Sequence, residues 1–428
     1  MKKPDLEKQD AGKVVLQELT DSPSKKNHEK KSFWMSIRIP ILAIVTGLVF
    51  GAFLIGVTST RMYAAFGTSF GAGIAEFFKE IATAYTALFQ GSIGNPSAMI
   101  SALQSGNQVA IREAFNPFLE SLVQSTPYIF AGLAVALGFR AGLFNIGVEG
   151  QLFIGAAAAT YVGYSITGLP QYIHMPLAFL AGALGGALWG FVPGILKATT
   201  GGHEVINTIM MNWIAFRFTE WLLSGPMNRP GAGGMPISPL IQPSAEIPKF
   251  FQSPIRFNLG FFIALFVACL VWWLLFKTTW GLNLRLVGTN PRAAKYAGLN
   301  IISITVIGMV LSGALAGMAG ANQILALNHS MALGLSSGYG YDSIALALLG
   351  NNHPLGVVLA SILFGTLRNG ATKMMVVSQI PIDIISIVQA FIVMFVAAPA
   401  IIRAIYRLRK PEKEEATAVF LSGWGGGK

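Results

Sequence analysis

The chain has 428 residues, 53% of them hydrophobic and only 11% charged, with 48 glycines and a mean hydropathy of +0.58. That balance describes a polytopic membrane protein and excludes a soluble multidomain chain. The net charge of +11 does not point to nucleic acid, because the basic residues gather at the chain ends and in short loops, not on one amphipathic face; the expected partner is membrane lipid.

A span takes about 20 apolar residues, so this length with modest loops allows about ten. The expected fold class is an all-α integral membrane protein, a polytopic helical bundle of about ten transmembrane helices with broken or re-entrant segments. Lys2, Lys3, Lys8, Lys13, Lys25, Lys26, Lys30 and Lys31 precede the first apolar run, and Arg403, Arg407, Arg409 and Lys410 follow the last. By the positive-inside rule both termini are cytoplasmic and the span count is even in a multi-pass cell-membrane protein. Residues 1–36 read as a disordered cytoplasmic tail, too long and too mixed in charge for a signal peptide. Residues 37–405 form the transmembrane domain and 406–428 a second cytoplasmic tail. Cys269 lies in an apolar run, has no second cysteine to pair with, and reads as packing.

In chain order, a first span runs over about 38–58. Between Arg61 and Asn116 the near-helical spacing of Phe77, Phe78, Ile81, Tyr85 and Leu88 suggests an external or interfacial amphipathic helix. A second span, about 117–139, carries Pro127, and a third, about 143–166, opens in a glycine-interrupted stretch. The fourth, about 174–196, places Gly182, Gly186 and Gly190 on one face so that another helix can approach closely. A fifth span, about 205–224, precedes a Pro- and Gly-rich loop from Gly225 to Phe257 that reads as extracytoplasmic. The sixth, about 258–276, is followed by a polar segment, 277–300, and the seventh, about 301–327, repeats the small-residue spacing in Gly313, Gly317 and Ala321. Beyond it, the path over 341–373 is open, because Arg368 and Lys373 fall where a ten-span count puts the outside; a re-entrant segment would account for them. A last span runs over about 382–402.

Intrinsic catalysis fails on inventory. No G-x-x-x-x-G-K-[ST] phosphate loop is present, His203-Glu204 lacks the second histidine of a zinc protease, and the five histidines are scattered, so neither a metal nor a catalytic site is expected. Glu149 stands in an apolar stretch beside Phe144, Asn145 and Gln151, and a carboxylate at membrane depth is costly without a cavity or a partner. Two readings stand. A broken helix exposes these groups to a solute near the midplane, with Phe144 as the aromatic for stacking on a base, or Arg140 and Glu149 sit near the cytoplasmic interface, paired or wet, and hold a hairpin together. Asn207, Asn212, Asn322 and Gln323 likewise either bond between helices or line a pathway. Trp221, Trp272, Trp273 and Trp280 fall near span ends as interfacial anchors.

The polar segment after the sixth span is the most informative. Asn290 and Pro291 read as an N-cap and first helical residue, and the run Arg292-Ala293-Ala294-Lys295-Tyr296-Ala297 makes about two turns before Gly298 stops it. A helix that short is not stable alone and needs tertiary or partner contacts.

This segment, Gly288 to Asn300, closely resembles the cytoplasmic coupling loop of ABC-importer permeases of the branched-chain amino acid, sugar and nucleoside class. Two further stretches carry the resemblance: Gly138 to Gln151, with the phrase Phe144-Asn145-Ile146-Gly147-Val148-Glu149-Gly150-Gln151, and Gly202 to Asn212. Together they are most similar to the nucleoside branch. The resemblance spans about Thr126 to Pro399 and leaves the lysine-rich tail outside. It implies a permease subunit with a coupling loop at 277–300, two permeases that are commonly non-identical, an ATPase that uses ATP and Mg, and an extracytoplasmic substrate-binding lipoprotein. No cofactor is implied for this chain itself. It also implies docking of the ATPase on the residues Gly288, Asn290, Pro291, Arg292, Ala294, Lys295 and Gly298, and a substrate pathway that includes Phe144, Asn145, Glu149, Gln151, Asn207 and Asn212. The implied cargo is a nucleoside, with riboflavin or a simple sugar as alternatives. A competing class is an ion-coupled secondary transporter that uses Glu149 and Arg140, against which stands the scarcity of buried acids, since Asp342 and Asp383 look terminal to their spans. A non-transporting scaffold would have no need of the glycine-broken polar segments.

Overall fold

A computed structural model describes residues 33–378 and 382–408. The tail expected over 1–36 lies outside the described residues except for Phe33 to Ser36, which open the first helix, and the second tail lies outside them beyond Leu408. The helices in chain order are α1 (Phe33–Thr58), α2 (Thr60–Phe66), α3 (Phe70–Ser92), α4 (Pro96–Ser105), α5 (Gln108–Arg140), α6 (Val148–Ser165), α7 (Gln171–Thr200), α8 (Glu204–Ser224), α9 (Gly260–Lys277), α10 (Thr279–Thr289), α11 (Pro291–Tyr296), α12 (Ile301–Asn322), α13 (Tyr339–Leu349), α14 (Pro354–Ser378), α15 (Ile382–Ala397) and α16 (Pro399–Ile405). Residues 1–43 with 399–428 make one compact unit, whose described parts are the start of α1 and α16 to Leu408, and residues 44–398 make the other. The contacts below all belong to the second unit.

Among the described residues six helices are long and apolar enough to cross a membrane: Ile41–Thr58, Gln108–Arg140, Gln171–Thr200, Gly260–Lys277, Ile301–Asn328 and Pro354–Ser378. Four more, α3, α6, α8 and α15, run for 23, 18, 21 and 16 residues and complete the all-α bundle. Asparagines and serines set many of the helix starts, because their short side chains accept the backbone N–H groups that a first turn leaves unpaired. Ser69, Asn95, Asn107 and Asn300 cap α3, α4, α5 and α12 in this way.

α5 is longer than its sequence pattern suggests: it continues through both Pro117 and Pro127. Proline supplies no backbone N–H, so each of these positions costs the helix one backbone bond. Asn369 of α14 donates to the Pro117 carbonyl at 2.8 Å and to the Gly91 carbonyl of α3 at 2.9 Å, tying three helices at one point. The periodic apolar residues between Arg61 and Asn116 lie on α3, which packs one face on the bundle and leaves Phe78 exposed on the other. Leu88 of α3, with Ala84 and Ala87, is buried against Leu367, Ala371 and Met374 of α14, and the Tyr85 hydroxyl donates to the Leu48 carbonyl of α1.

The two small-residue faces meet each other. A Cβ on Gly186 of α7 would lie 2.7 Å from the Gly317 Cα of α12, and one on Gly190 would lie 2.7 Å from the Met309 carbonyl oxygen. Backbone touches backbone along this crossing, so the small residues are what lets the two helices close.

The stretch after α12 holds a short helix of half-span length. α13 has 11 residues, about 16 Å at 1.5 Å per residue and so about half of a bilayer core. It ends in a tight turn in which Asn351 and Asn352 both take φ of 52°, and α14 departs from Pro354. The Pro- and Gly-rich loop after α8 folds over the segment leading into α13. Ser238 N–H donates to the Met331 carbonyl at 2.8 Å, and Ile241 N–H to the His329 carbonyl at 2.9 Å.

Candidate functional site

Between α5 and α6 the chain breaks for Ala141 to Gly147, and the break is built from side-chain bonds. Gly142 takes φ of +71°, which lets Leu143 N–H return to the Gly138 carbonyl at 2.9 Å. Asn145 Oδ1 then accepts the Gly147 N–H at 2.9 Å, and its Nδ2 donates to Gln151 Oε1 at 2.9 Å and to Ser312 Oγ of α12 at 2.8 Å. From α8, Asn212 grips both sides of the helix start: Oδ1 accepts the Gly150 N–H at 2.8 Å and Nδ2 donates to the Ile146 carbonyl at 3.0 Å. The Gly147 and Gly150 N–H groups are donors that a helix N-terminus leaves without an intrahelical partner, and a buried one costs about 1–3 kcal/mol if unmet.

Glu149, in the first turn of α6, does not pair with Arg140. Its Oε2 accepts the Gly340 N–H of α13 at 2.6 Å, so the carboxylate lies between the N-terminal turns of two helices, where backbone N–H groups point outward. Gly340 has to be glycine here, since a Cβ would lie 2.6 Å from Glu149 Cα. Arg140 points instead to the turn after α13, where Nε donates to the Asn352 carbonyl at 2.9 Å and Nη2 to the Asn351 carbonyl at 3.1 Å. A guanidinium fork matches two adjacent carbonyls better than a carboxylate that another helix has already engaged.

The pathway residues named from the sequence therefore fall into two sets. Asn145, Glu149, Gln151 and Asn212 form one buried constellation, each at most 3% exposed. Phe144 and Asn207 stand outside it, half-buried, and Phe144 is stacked on Phe139 at 5.2 Å between ring centroids.

Next to the constellation is a cluster that the sequence flagged only as a topological puzzle. Arg368 Nη1 donates to the Tyr128 hydroxyl at 2.6 Å, that hydroxyl donates to Asp342 Oδ2 at 2.8 Å, and the guanidinium carbon lies 4.8 Å from the centre of the Tyr339 ring. Tyr341 joins the two groups, its hydroxyl 3.4 Å from Asn212 Nδ2. The signal available in advance was one basic and one acidic residue in apolar stretches of the same region. Among the described residues no group of three or more His, Cys, Asp or Glu is placed to hold a metal ion.

The polar segment after α9 folds into α10 and α11. Asn290 caps α11 by accepting the Ala293 N–H at 3.1 Å, Pro291 is its first residue, and Gly298 takes φ of +80° beyond its end. Ala294 is buried with Val287, Leu284 and Ile304, which anchors a helix too short to hold itself. Its outer face presents Arg292, Lys295 and Tyr296, the last 93% exposed. Tyr296 was not among the residues the sequence singled out. Gly288 faces inward, against the backbone of Arg140 to Gly142.

An all-α, multi-pass bundle with a helix of half-span length, a side-chain-built helix break and a capped surface helix defines a membrane transport protein. The chain belongs to the family described as branched-chain amino acid transport system, permease component, which matches residues 118–398. A guanosine ABC transporter permease protein of Bacillus subtilis is 39% identical over 370 residues, 85% of this chain and 94% of that one. A nucleoside ABC transporter permease protein of Lactococcus lactis is 30% identical over 389 residues, 89% of this chain and 96% of that one. A glucose ABC transporter permease protein of Haloferax volcanii is 33% identical over 285 residues, 64% of this chain and 74% of that one. No solved structure matches the chain.

Proposed function

We propose that this chain is the transmembrane permease subunit of an ATP-driven importer that carries nucleosides into the cytoplasm, with energy from a separate ATPase that uses ATP and Mg. The observation that carries the reading is the likeness to a guanosine permease and a nucleoside permease, each along nine-tenths or more of its own length, with the capped helix α11 in a chain that itself lacks a phosphate loop. The ATPase docks on the exposed face of α11, through Arg292, Lys295 and Tyr296, and that end of the bundle is cytoplasmic together with both termini. A second, non-identical permease completes the translocation path, and an extracytoplasmic binding lipoprotein delivers the cargo to the opposite end, where the loop after α8 lies over the entry to α13.

The constellation of Asn145, Glu149, Gln151 and Asn212 is fully engaged with protein groups, so in this reading it fixes the shape of the path in this conformation. The more open Tyr341, Asp342 and Arg368 are what a passing ribose meets: their hydroxyl, carboxylate and guanidinium suit a vicinal diol.

Uptake of radiolabelled guanosine, adenosine, uridine, glucose and riboflavin in cells with and without the gene tests the cargo. Replacing Pro291 through Gly298 by a Gly/Ser linker tests the docking. Loss of nucleoside uptake alone in both strains, with the chain still in the membrane, upholds the reading. Loss of glucose or riboflavin uptake instead reassigns the cargo, and normal uptake by the linker variant removes the docking role of α11.

A further inference from the structure

At the end of the bundle where α9 and α13 stop and α14 begins, two guanidiniums share one aromatic ring. The Arg140 guanidinium carbon lies 5.7 Å and that of Arg285 5.2 Å from the centre of the Phe276 ring, and the His353 ring lies 5.3 Å from the same ring. The side-chain bonds of both arginines go to neutral carbonyls: Arg140 to Asn351 and Asn352, and Arg285 Nε to Gly281 at 3.4 Å. Among the described residues, no carboxylate forms an ion pair with either one. Two like charges brought to one ring repel each other, and the arrangement lowers its energy when an anion sits across both.

The surroundings say which anion. α9 and α14 are both candidate spans, and the cluster sits at their ends, Lys277 and Pro354. Trp272, Trp273 and Trp280 are exposed around Lys277, with the ammonium 5.6 Å from the Trp272 ring centre, which is the composition of a headgroup-level belt. On α10 the outward residues beside Arg285 are Leu282 and Leu286, and Leu355 and Leu359 of α14, 64% and 61% exposed, run from the cluster toward the bilayer interior. At this headgroup level, beside span side chains that face acyl chains, the anion at hand for both guanidiniums is a lipid phosphate.

We propose that Arg140 and Arg285, held on Phe276, bind the phosphodiester of one anionic phospholipid whose acyl chains lie along Leu355 and Leu359. The site rests on the membrane placement of the chain and is independent of what the chain carries.

The full chain in nanodiscs of phosphatidylcholine with added phosphatidylglycerol, released into a native mass spectrometer, reads the lipids that stay bound. One phosphatidylglycerol is retained in preference to phosphatidylcholine. In R285Q its apparent affinity falls about fivefold, the worth of one basic residue at an anionic surface. R285K, which keeps the charge and loses the planar fork, falls between the two, and R217Q, at an exposed arginine that pairs with Glu220 on α8, changes nothing. Equal retention of the two lipids, or retention by R285Q equal to the parent, overturns the proposal. So does inorganic phosphate raising the thermal midpoint in pure phosphatidylcholine discs as much as phosphatidylglycerol does, since that marks a small-anion site. None of these readouts involves uptake, so their failure leaves the cargo reading standing, and failure of the cargo reading leaves the lipid site standing.

Discussion

Gly288 of α10 and Gly142 of the α5–α6 break touch through their backbones: a Cβ on Gly142 would lie 2.7 Å from Gly288 Cα, and one on Gly288 would lie 2.7 Å from Gly142 N. No side chain stands between them to absorb a displacement. The residue before the break, Arg140, also holds the turn between α13 and α14. If the ATPase docks on α11 as proposed, a push there would reach, through α10, both the helix break and α13.

Replacing Gly288 by alanine separates these surfaces by a methyl group. In the reconstituted importer the maximal uptake rate falls about fivefold at unchanged KM, on the scale of about 1 kcal/mol for a residue that carries coupling between sites, and ATP hydrolysed per nucleoside imported rises. An unchanged ratio of hydrolysis to uptake would remove Gly288 from the linkage. Both Gly288→Ala and Gly142→Ala overlap backbone and lower the thermal midpoint, Gly142→Ala further because of strain at φ of +71°.

The α7–α12 crossing predicts a pure stability effect. Gly186→Ala drives a methyl into the Gly317 backbone and costs about 1–3 kcal/mol, as overpacking does. Gly71→Ala, in α3 with nothing within 4 Å of its Cβ position, is neutral or gains about 0.5–1 kcal/mol from helix propensity. Thermal unfolding of the two solubilised variants separates them; equal midpoints would mean that the crossing has room to yield.

How far the sequence reached follows from what kind of information each feature needs. The Asn290 cap, Pro291 start and Gly298 stop are local, and they stand in the structure at those residues. Gly182, Gly186 and Gly190, with Gly313 and Gly317, announced close approach from spacing alone, though only the structure shows that the two faces meet each other. Sequence left the Glu149 partner open and offered Arg140 only as the near neighbour, while the donor in the structure, Gly340 N–H, is a backbone group 191 residues away with no side chain to mark it. α5 starts at Gln108, upstream of the expected boundary, because a proline inside a helix reads in sequence as a terminus. The cluster of Tyr128, Asp342 and Arg368 depends on pairing between distant segments, which no period encodes.

Asp342 and Arg368 form a coupled pair, 3.6 Å apart and bridged by the Tyr128 hydroxyl. Their side chains are 36% and 23% exposed, so removing one partner costs about 1–2 kcal/mol, below the ~3–5 kcal/mol of a fully buried pair. Asp342→Asn and Arg368→Gln each lower the thermal midpoint, and the double variant recovers part of the loss because no charge is left alone. Strict additivity of the two losses in a double-mutant cycle would show that the pair is not coupled.

The loop over the entry to α13 carries a pH dependence of its own. Burial holds His329 below the usual imidazole value; Glu246, 3.9 Å away, pulls it up, and Lys249 pushes it down again. The Lys249 ammonium lies 3.2 Å from His329 Nε2, and it can donate there only to a neutral ring. The unfolded imidazole titrates near about pH 6.5, so the folded form binds protons less readily than the unfolded form. The stabilisation is present above about pH 6.5 and is lost as the pH falls toward the lower folded value. The backbone bonds that pair this loop with the segment, Ser238 to Met331 and Ile241 to His329, weaken with it. Amide exchange at Ser238 and Ile241, measured in the parent and in His329→Asn at each pH so that intrinsic exchange cancels, shows parent protection falling below about pH 6.5 while the variant stays flat. Parallel profiles in the two proteins would place the pH response elsewhere.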